Sequence, residues 1–296
     1  MPNLRTVVER KSRKTLRKRF PDNPISRRSK IKLFFANLKS INVARDGELF
    51  RANAVYFSNT GRDADRVIKF FDYSAGKVLT VCQNPAQFEE YFYNRDRYSR
   101  FYSVPRLLEK DAEKMRYIEE YIDKTSFPQN EEKAIYQNLT SLFSSIFEKN
   151  ECVLKKCDYD IPSALKDDIQ SAPSFLKTFE QHGDLSIDNF ICTNNGIVFI
   201  DFEHQGEYPI FYDLLFLITN SYMVNGTRTG IELFEQGFFD NYFAMALPDY
   251  ETPVTDVLVS FILVFHEKRI KHISHRPIYG KYMDLFRRMI RSKNGK

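Results

Sequence analysis

The sequence predicts an α+β fold with a β-rich first part and a mainly helical second part. Up to about residue 123, short runs of aromatic and β-branched residues alternate with turn residues, which is typical of strands. From about residue 130, apolar residues recur at helical spacing. One polar segment, 182–203, interrupts the helical part. With 296 residues, the chain is long enough for two lobes that each have a core.

Each element is predicted from its local pattern. Strands are predicted at 49–57, 66–73, 77–82, 104–111 and 115–123. A helix is predicted at 84–102, because Asn84 can cap its first turn and Pro85 suits its first position. Further helices are predicted at 130–149, 162–180, 212–245 and 253–292. Within the polar segment, the letters "NNG" at 194–196 predict a hairpin turn.

Charge is distributed unevenly along the chain. Residues 1–34 contain 12 Lys or Arg against Glu9 and Asp22, a net charge of +10, whereas the remainder carries −5. Three interpretations stay open for this basic segment: a solvated extension without a fixed partner, a contact with an anionic membrane surface and, ranked last, a nucleic-acid contact. The predicted domains are a basic N-terminal extension at 1–44, a nucleotide-binding first lobe at 45–123 and a catalytic and acceptor-binding second lobe at 124–296.

The composition indicates a cytoplasmic protein. The four cysteines form no CxxC pair, so neither a disulfide framework nor a zinc site is predicted. The basic N-terminus lacks the apolar core of a signal peptide, and the apolar run at 257–265 is too short to span a bilayer. We therefore expect a cytoplasmic location, peripheral to the inner face of the membrane if the basic segment binds lipid.

The polar segment brings together the residue types that phosphoryl transfer needs. Such a reaction requires metal ligands that hold the phosphates and a carboxylate aimed at the attacking hydroxyl. Mg²⁺ takes hard oxygen ligands and usually one or two carboxylates. Asp184 lies in the predicted loop, Asn189 follows five residues later, and Asp201 ends the second hairpin strand. We interpret Asp184 as the catalytic carboxylate, and Asn189 and Asp201 as the Mg²⁺ ligands.

The same residues form a motif with specific spacing. They are, in order, His182, Gly183, Asp184, Asn189, Ile200, Asp201, Phe202 and Glu203, followed by Pro209, Asp213 and Leu214. This pattern resembles that of the aminoglycoside phosphotransferase and choline kinase superfamily, the small-molecule relatives of protein kinases. The resemblance implies a bilobal protein-kinase-like fold, with a small β-rich first lobe and a larger helical second lobe. It also implies that His182 and Asp213 are structural, whereas Glu203 could contact metal or substrate or only cap a turn.

The resemblance further implies a site for ATP in the first lobe. Lys69 would contact the α- and β-phosphates, and either Glu89 or Glu90 on the following helix would hold it in place. The remaining residues implied to bind nucleotide are Asn53 and, in a hinge at 119–122, Glu120. Arg51 and Ala52 replace the glycines that relatives have before Asn53, and Lys77 is a rival for the role of Lys69.

The predicted function is that of an ATP- and Mg²⁺-dependent phosphotransferase acting on a hydroxyl of a small molecule or glycan. One expected acceptor is a sugar in the assembly of an envelope or capsule polysaccharide. Alternatives are an aminoglycoside- or choline-type kinase, and a pseudokinase that binds nucleotide or a partner without catalysis. The basic stretch "HEKRIKHISHR" at 266–276 is interpreted as a solvated helix face or as a site for an anionic acceptor.

Overall fold

The computed structural model describes most of the chain in two compact units. The described residues are 32–34, 41–45, 48–52, 54–57, 67–82, 84–122, 132–245 and 254–294. The first unit comprises residues up to 96, 103–125 and 198–200; the second comprises 97–102, 126–197 and 201–296. Within the described ranges, no helix is both long enough and apolar enough to cross a membrane.

The first unit is built around an antiparallel sheet. Its described strands are β1 (Lys32–Phe34), β2 (Ile41–Arg45), β3 (Glu48–Ala52), β4 (Ala54–Phe57), β5 (Val67–Asp72), β6 (Lys77–Cys82), β7 (Leu107–Asp111) and β8 (Arg116–Glu120). Six of them pair in the order β1-β4-β5-β6-β8-β7, and β2 pairs with β3. Strands β1 and β2 therefore lie wholly or partly within residues 1–44, which were predicted to be an N-terminal extension. The other predicted domain boundaries stay predictions.

The two faces of the sheet carry separate apolar clusters. One cluster contains Ala52, Phe70, Leu79 and Val81. Because side chains alternate between faces along a strand, Val67, Cys82 and Tyr117 lie on the other face, where they pack against Phe88 and Phe92. These two aromatic residues belong to helix α1 (Pro85–Tyr98), so α1 covers this second face.

The start of α1 follows from its cap. The Asn84 side-chain oxygen accepts a hydrogen bond from the backbone N–H of Ala86 at 3.0 Å, which satisfies one of the free donors of the first turn. Pro85, which has no N–H to satisfy, occupies the first helical position. The predicted start is confirmed, but the helix ends at Tyr98 instead of residue 102.

The second unit is mainly helical. Its described α-helices are α2 (Glu132–Lys149), α3 (Tyr212–Asn220), α4 (Thr229–Glu235), α5 (Asp240–Met245), α6 (Val254–Phe265) and α7 (Pro277–Lys293). Every residue of α6 from Val257 to Phe265 is buried, as expected for a helix that is apolar on all sides. Helices α3 and α7 pack against α6, and α4 packs against α2, α3 and α7. Together they form the core of this unit.

Short strands precede, run through and follow the polar segment 182–203. They are β9 (Val153–Lys156), β10 (Phe175–Gln181), β11 (Phe190–Thr193), β12 (Gly196–Phe199) and β13 (Gly206–Pro209). Strand β10 lies between β13 and β9 in an antiparallel sheet, and β11 pairs with β12 in a two-stranded hairpin. The loop 182–189 therefore starts where β10 ends, and Asp201 follows two residues after β12.

The α+β class is confirmed, but two helical predictions need correction. The segment 162–180 is not a helix: it contains a 3₁₀ turn at Ser163–Leu165 and most of strand β10. Pro173 disfavours a continuous helix there, and pairing of β10 with two strands overrides its helix-forming residues. The predicted helix at 212–245 is divided by Gly226 and Gly237, whose positive φ angles of 73° and 79° are incompatible with a helix.

Candidate active site

A buried carboxylate braces the loop that follows β10. One carboxylate oxygen of Asp213 accepts the backbone N–H of His182 at 2.7 Å, and the other accepts that of Gly183 at 2.8 Å. The backbone N–H of Asp213 in turn donates to the side-chain oxygen of Gln181 at 3.1 Å. Burial raises the pKa of Asp213 to about 6, although the His182 ring and both N–H donors favour its charged form. The first turn of α3 thus holds the beginning of the loop, in the bracing role expected of Asp213.

Gly183 is required by both space and backbone geometry. Its φ of +76° is one that residues with a Cβ rarely adopt. A Cβ added here would lie 2.3 Å from the carbonyl oxygen of His204 and 2.5 Å from the ring of Tyr208. The hydroxyl of Tyr208 donates to the same carbonyl oxygen at 2.9 Å, which fixes the ring against the glycine.

His182 is buried and packed between aromatic rings. Its ring centroid lies 5.7 Å from that of Tyr98, in an edge-on geometry, and 5.9 Å from that of Phe202. Phe202 directly follows Asp201 in the chain. The packing agrees with the structural role that the resemblance implies for His182.

Two of the predicted site residues, Asp184 and Asn189, contact each other in this loop. The side-chain amide N–H of Asn189 donates to the backbone carbonyl of Asp184 at 2.8 Å, which closes the loop on itself. Asp201 has a φ of 70°, a strained value for a residue other than glycine. Desolvation raises the pKa of the Asp184 carboxyl, and the negative charge of Asp201 acts in the same direction.

Positive groups oppose that rise in the pKa of Asp184. They are Arg269, His204 and His182, with Arg269 the strongest. The guanidinium of Arg269 lies 3.3 Å from a carboxylate oxygen of Asp184 and donates to the Gly183 carbonyl at 2.5 Å. The side chain of Asp184 remains 34% exposed and that of Arg269 22%, so solvent reaches the carboxylate.

Arg269 is a site residue that sequence reasoning did not identify. It belongs to a π-helical segment, His266–Ile270, that follows α6. π-Helical segments are rare in proteins, and those that occur are often found at functional sites. The sequence signal was the basic stretch at 266–276, but nothing in that stretch distinguishes Arg269 from its neighbours.

In the first unit, Lys69 lies on the sheet face that α1 covers. Lys69 pairs with Thr80 on the neighbouring strand β6, and Thr80 pairs with Tyr117 on the next strand, β8. Glu119, two residues after Tyr117, points to the same face of the sheet. Glu119 is 9% exposed, and desolvation raises the pKa of its carboxyl while Lys69 lowers it. The Arg95 guanidinium binds Glu119 at 2.8 Å, and the Tyr91 hydroxyl donates to it at 2.7 Å. Glu119 is thus the buried acid near Lys69, and the sequence reasoning missed it.

The other residues predicted to bind nucleotide have different surroundings. Glu89 and Glu90 are both exposed on α1, whereas Arg95 and Tyr91 of the same helix reach Glu119. Glu120 accepts the backbone N–H of Arg106 at 2.8 Å through its side chain. Lys77 is exposed and lies on the sheet face opposite to that of Lys69. Asn53 lies outside the described residues.

The residues at the loop fit a magnesium ion bound together with phosphates. Among the described residues, no group of three or more His, Cys, Asp or Glu side chains could hold a metal ion alone. Mg²⁺ does not need such a group, because it usually keeps water and substrate phosphate among its ligands. Asn189 donates through its nitrogen, which leaves its amide oxygen free to act as a hard ligand, and the carboxylate of Asp201 is a second hard ligand. Asn189 and Asp201 are therefore a suitable pair.

Comparisons with known proteins point to one family. Residues 151–250 match the model of the phosphotransferase enzyme family APH. This range contains the whole motif from His182 to Leu214. None of the curated proteins matches the chain in sequence.

Solved structures of kinases resemble the chain at low sequence identity. Aminoglycoside phosphotransferase APH(4)-Ia is 11% identical, with 97% of this chain and 99% of that chain covered and a TM-score of 0.48. Choline kinase LicA from Streptococcus pneumoniae is 12% identical, with 96% and 99% covered and a TM-score of 0.39. The family match agrees with the resemblance deduced from the motif: residues 151–250, which contain the loop and hairpin described above, match the model of the phosphotransferase enzyme family.

Proposed function

We propose that this chain is an ATP- and Mg²⁺-dependent phosphotransferase that acts on a hydroxyl group of a small molecule or glycan. The observation that carries the proposal is the environment of Asp184. Its carboxylate is partly exposed, forms an ion pair with Arg269, and belongs to a loop whose first residues are held by the buried Asp213. A chain that bound a partner without catalysis would not require this combination.

Asp184 is the residue that handles the proton. The acceptor hydroxyl donates a hydrogen bond to its carboxylate and attacks the γ-phosphorus of ATP. The new O–P bond forms as the bond between the γ-phosphorus and the bridging oxygen of ADP breaks. The hydroxyl proton passes to Asp184 and then to solvent, and ADP leaves with the bridging oxygen.

The other proposed roles concern ATP and its metal. Asn189 and Asp201 hold Mg²⁺, which neutralises charge on the phosphates when it is bound. Lys69 contacts phosphate, and Glu119 is the acid that keeps Lys69 oriented, in place of Glu89 or Glu90. Asn53 and the backbone around Glu120 remain the proposed contacts for the rest of the nucleotide.

The proposed acceptor is a sugar hydroxyl, as in the assembly of an envelope or capsule polysaccharide. The basic segment 1–34, with its net charge of +10, supports the proposal that the protein binds the anionic cytoplasmic surface of a membrane and phosphorylates its acceptor there. Aminoglycoside- and choline-type acceptors are the alternative, because they are the acceptors that the resemblance of the motif implies, and the motif lies within the residues that match the phosphotransferase enzyme family.

Thermal unfolding with Mg·ATP tests the nucleotide site. A ligand that binds only the folded state stabilises it by about 2.7 kcal/mol at a hundredfold excess over Kd. We expect Mg·ATP to raise the Tm of the wild type, and the Asp201→Asn variant to lose most of that rise. Asn is chosen because it tolerates the positive φ at this position. A wild-type Tm that does not respond to millimolar Mg·ATP would contradict the proposal.

A further inference from the structure

Basic side chains predominate among the titratable groups around Asp184. Of the charged groups that act on its carboxyl, Arg269, His204 and His182 are basic, and Asp201 is the acid. Asp201 is the proposed magnesium ligand, so its charge is neutralised when the metal binds. What remains beside the reactive carboxylate is a basic surface.

Lys268 extends this basic surface. Its ammonium lies 4.0 Å from the ring centroid of Tyr208, the same ring that packs against Gly183. Desolvation lowers the pKa of Lys268, and repulsion from Arg269 and Lys155 lowers it further. Two consecutive residues of the π-helical segment therefore carry cations near the catalytic loop: Arg269 contacts Asp184 of the loop, and Lys268 contacts the Tyr208 ring of β13 that packs against Gly183.

The carboxylates next to Lys268 and Tyr208 in the sequence form ion pairs with other lysines. Glu207 forms an ion pair with Lys155, and Glu267 forms one with Lys271 at 2.9 Å. Within the described parts of the chain, Lys268 has no carboxylate at ion-pair distance. Its charge is exposed to solvent and available to a ligand.

We propose that Arg269 and Lys268 form a subsite for an oxyanion on the acceptor, so that the substrate is an anionic sugar, either a sugar phosphate or a sugar acid. This inference rests on the proposed function, because it takes the acceptor hydroxyl to lie at Asp184. Arg269 has five N–H donors; one of its terminal nitrogens serves Gly183 and Asp184, and the guanidinium also faces the Tyr212 hydroxyl and the Phe216 ring, so only part of the set is used. The remaining donors suit a carboxylate or a phosphate, and Lys268 adds a second point charge.

The same surface disfavours a cationic acceptor. A polyamine or a quaternary ammonium group placed beside Asp184 would meet Arg269 and Lys268, and like charges at an interface disfavour binding. Recognition of such a cation requires carboxylates that lack a partner or an open aromatic cage. Here the ring face of Tyr208 is already occupied by Lys268.

Calorimetry with matched hexoses tests the subsite without nucleotide. The probes are glucose 6-phosphate, glucuronate and glucosamine, which share a six-membered ring and differ in charge. We expect both anionic probes to bind the wild type at least about tenfold more tightly than glucosamine. The preference should shrink as salt is added, because exposed charges are screened. Equal affinities, undetectable binding of all three, or a preference for glucosamine would overturn the inference.

Two variants locate the subsite. Lys268→Gln should weaken binding of the anionic probes by about tenfold while leaving glucosamine unaffected. Lys156→Gln is the matched control, since it removes the same charge from an exposed lysine whose pairing with Asp158 at 3.6 Å is solvent-accessible. An equal loss in both variants would mean a diffuse surface charge and would overturn the subsite.

Turnover with Mg·ATP separates this inference from the proposed function. If the anionic probes bind through Lys268 but no phosphate is transferred to any hexose, and Mg·ATP leaves the Tm unchanged, the proposed function fails and the anion subsite stands. If phosphate is transferred preferentially to the cationic sugar, the proposed function stands and the subsite fails.

Discussion

Asp184 is the residue whose replacement bears most directly on catalysis. Asp184→Asn keeps the size of the side chain but cannot accept the hydroxyl proton. General base catalysis contributes roughly 10²- to 10⁴-fold, so we expect kcat for phosphoryl transfer to fall by about that factor. The Tm rise with Mg·ATP should persist, because Asp184 is not a proposed metal ligand. Wild-type turnover in this variant would show that another group takes the proton.

Arg269 should control the pH dependence of the reaction. Desolvation raises the pKa of Asp184, so the acid limb of the kcat profile should lie above the ordinary aspartate value of about 4. The guanidinium of Arg269 lowers that pKa, so removing it should raise the pKa and move the acid limb to higher pH. We expect this shift in Arg269→Gln and a smaller one in Arg269→Lys. An unchanged limb in Arg269→Gln would contradict the assigned contact.

Gly183 offers a test of the loop with an internal control. Gly183→Ala combines a left-handed backbone with a Cβ that overlaps the His204 carbonyl and the Tyr208 ring, and should lower the unfolding free energy by roughly 2–5 kcal/mol. Gly76→Ala has a similar φ of +64° but nothing within 4 Å of the added Cβ. It should cost only about 1–2 kcal/mol in urea unfolding. If both variants lost the same free energy of unfolding, the loop would have to adjust to the added Cβ without cost.

At the scale of elements, Glu119 links strand β8 to helix α1. Glu119→Gln leaves the buried Arg95 without its carboxylate, a change that typically destabilises by about 3–5 kcal/mol. Lys69 should also lose its orientation, so the affinity for Mg·ATP should fall. Glu109→Gln is the control: its pairing with Arg116 is 3.8 Å long and the glutamate is 52% exposed, so its loss should cost about 1 kcal/mol or less. Both variants are compared by urea unfolding and by nucleotide titration, and a larger effect at Glu109 would refute the assignment.

Local patterns predicted some elements well and others poorly. Strand β6 and the start of α1 were predicted to the residue, because alternation and an Asn-Pro cap are local signals. Strand β10 was mistaken for a helix, since Lys, Ala and Gln around Pro173 favour helix locally. Its strand form depends on β9 and β13, which lie at distant positions in the sequence. Long-range pairing of this kind leaves little trace in a single sequence.

The same limit applies to the site. Asp184, Asn189 and Asp201 lie within 18 residues of one another, so their spacing alone predicted a common role. Arg269 reaches Asp184 from 85 positions away, and no local motif marks it. Glu119 was overlooked because the acid paired with Lys69 was sought on the helix, where Glu89 and Glu90 proved to be exposed.

Across the whole molecule, charge is separated along the chain. The basic segment 1–34 carries +10, whereas the remainder carries −5 and would be repelled by an anionic surface. Each Lys or Arg near such a surface contributes about 1 kcal/mol at physiological salt, so the twelve in this segment are enough for binding without any inserted helix.

Removing residues 1–34 should therefore abolish binding to vesicles. We expect the full chain to sediment with phosphatidylserine vesicles, to dissociate as salt is raised, and to ignore neutral phosphatidylcholine vesicles. The truncated chain should stay in the supernatant with all of them. Because β1 includes residues 32–34, a second variant with every Arg and Lys at positions 5–30 changed to Gln keeps that strand intact. If this variant still sediments with anionic vesicles, the contact lies elsewhere, and the basic segment is a solvated extension.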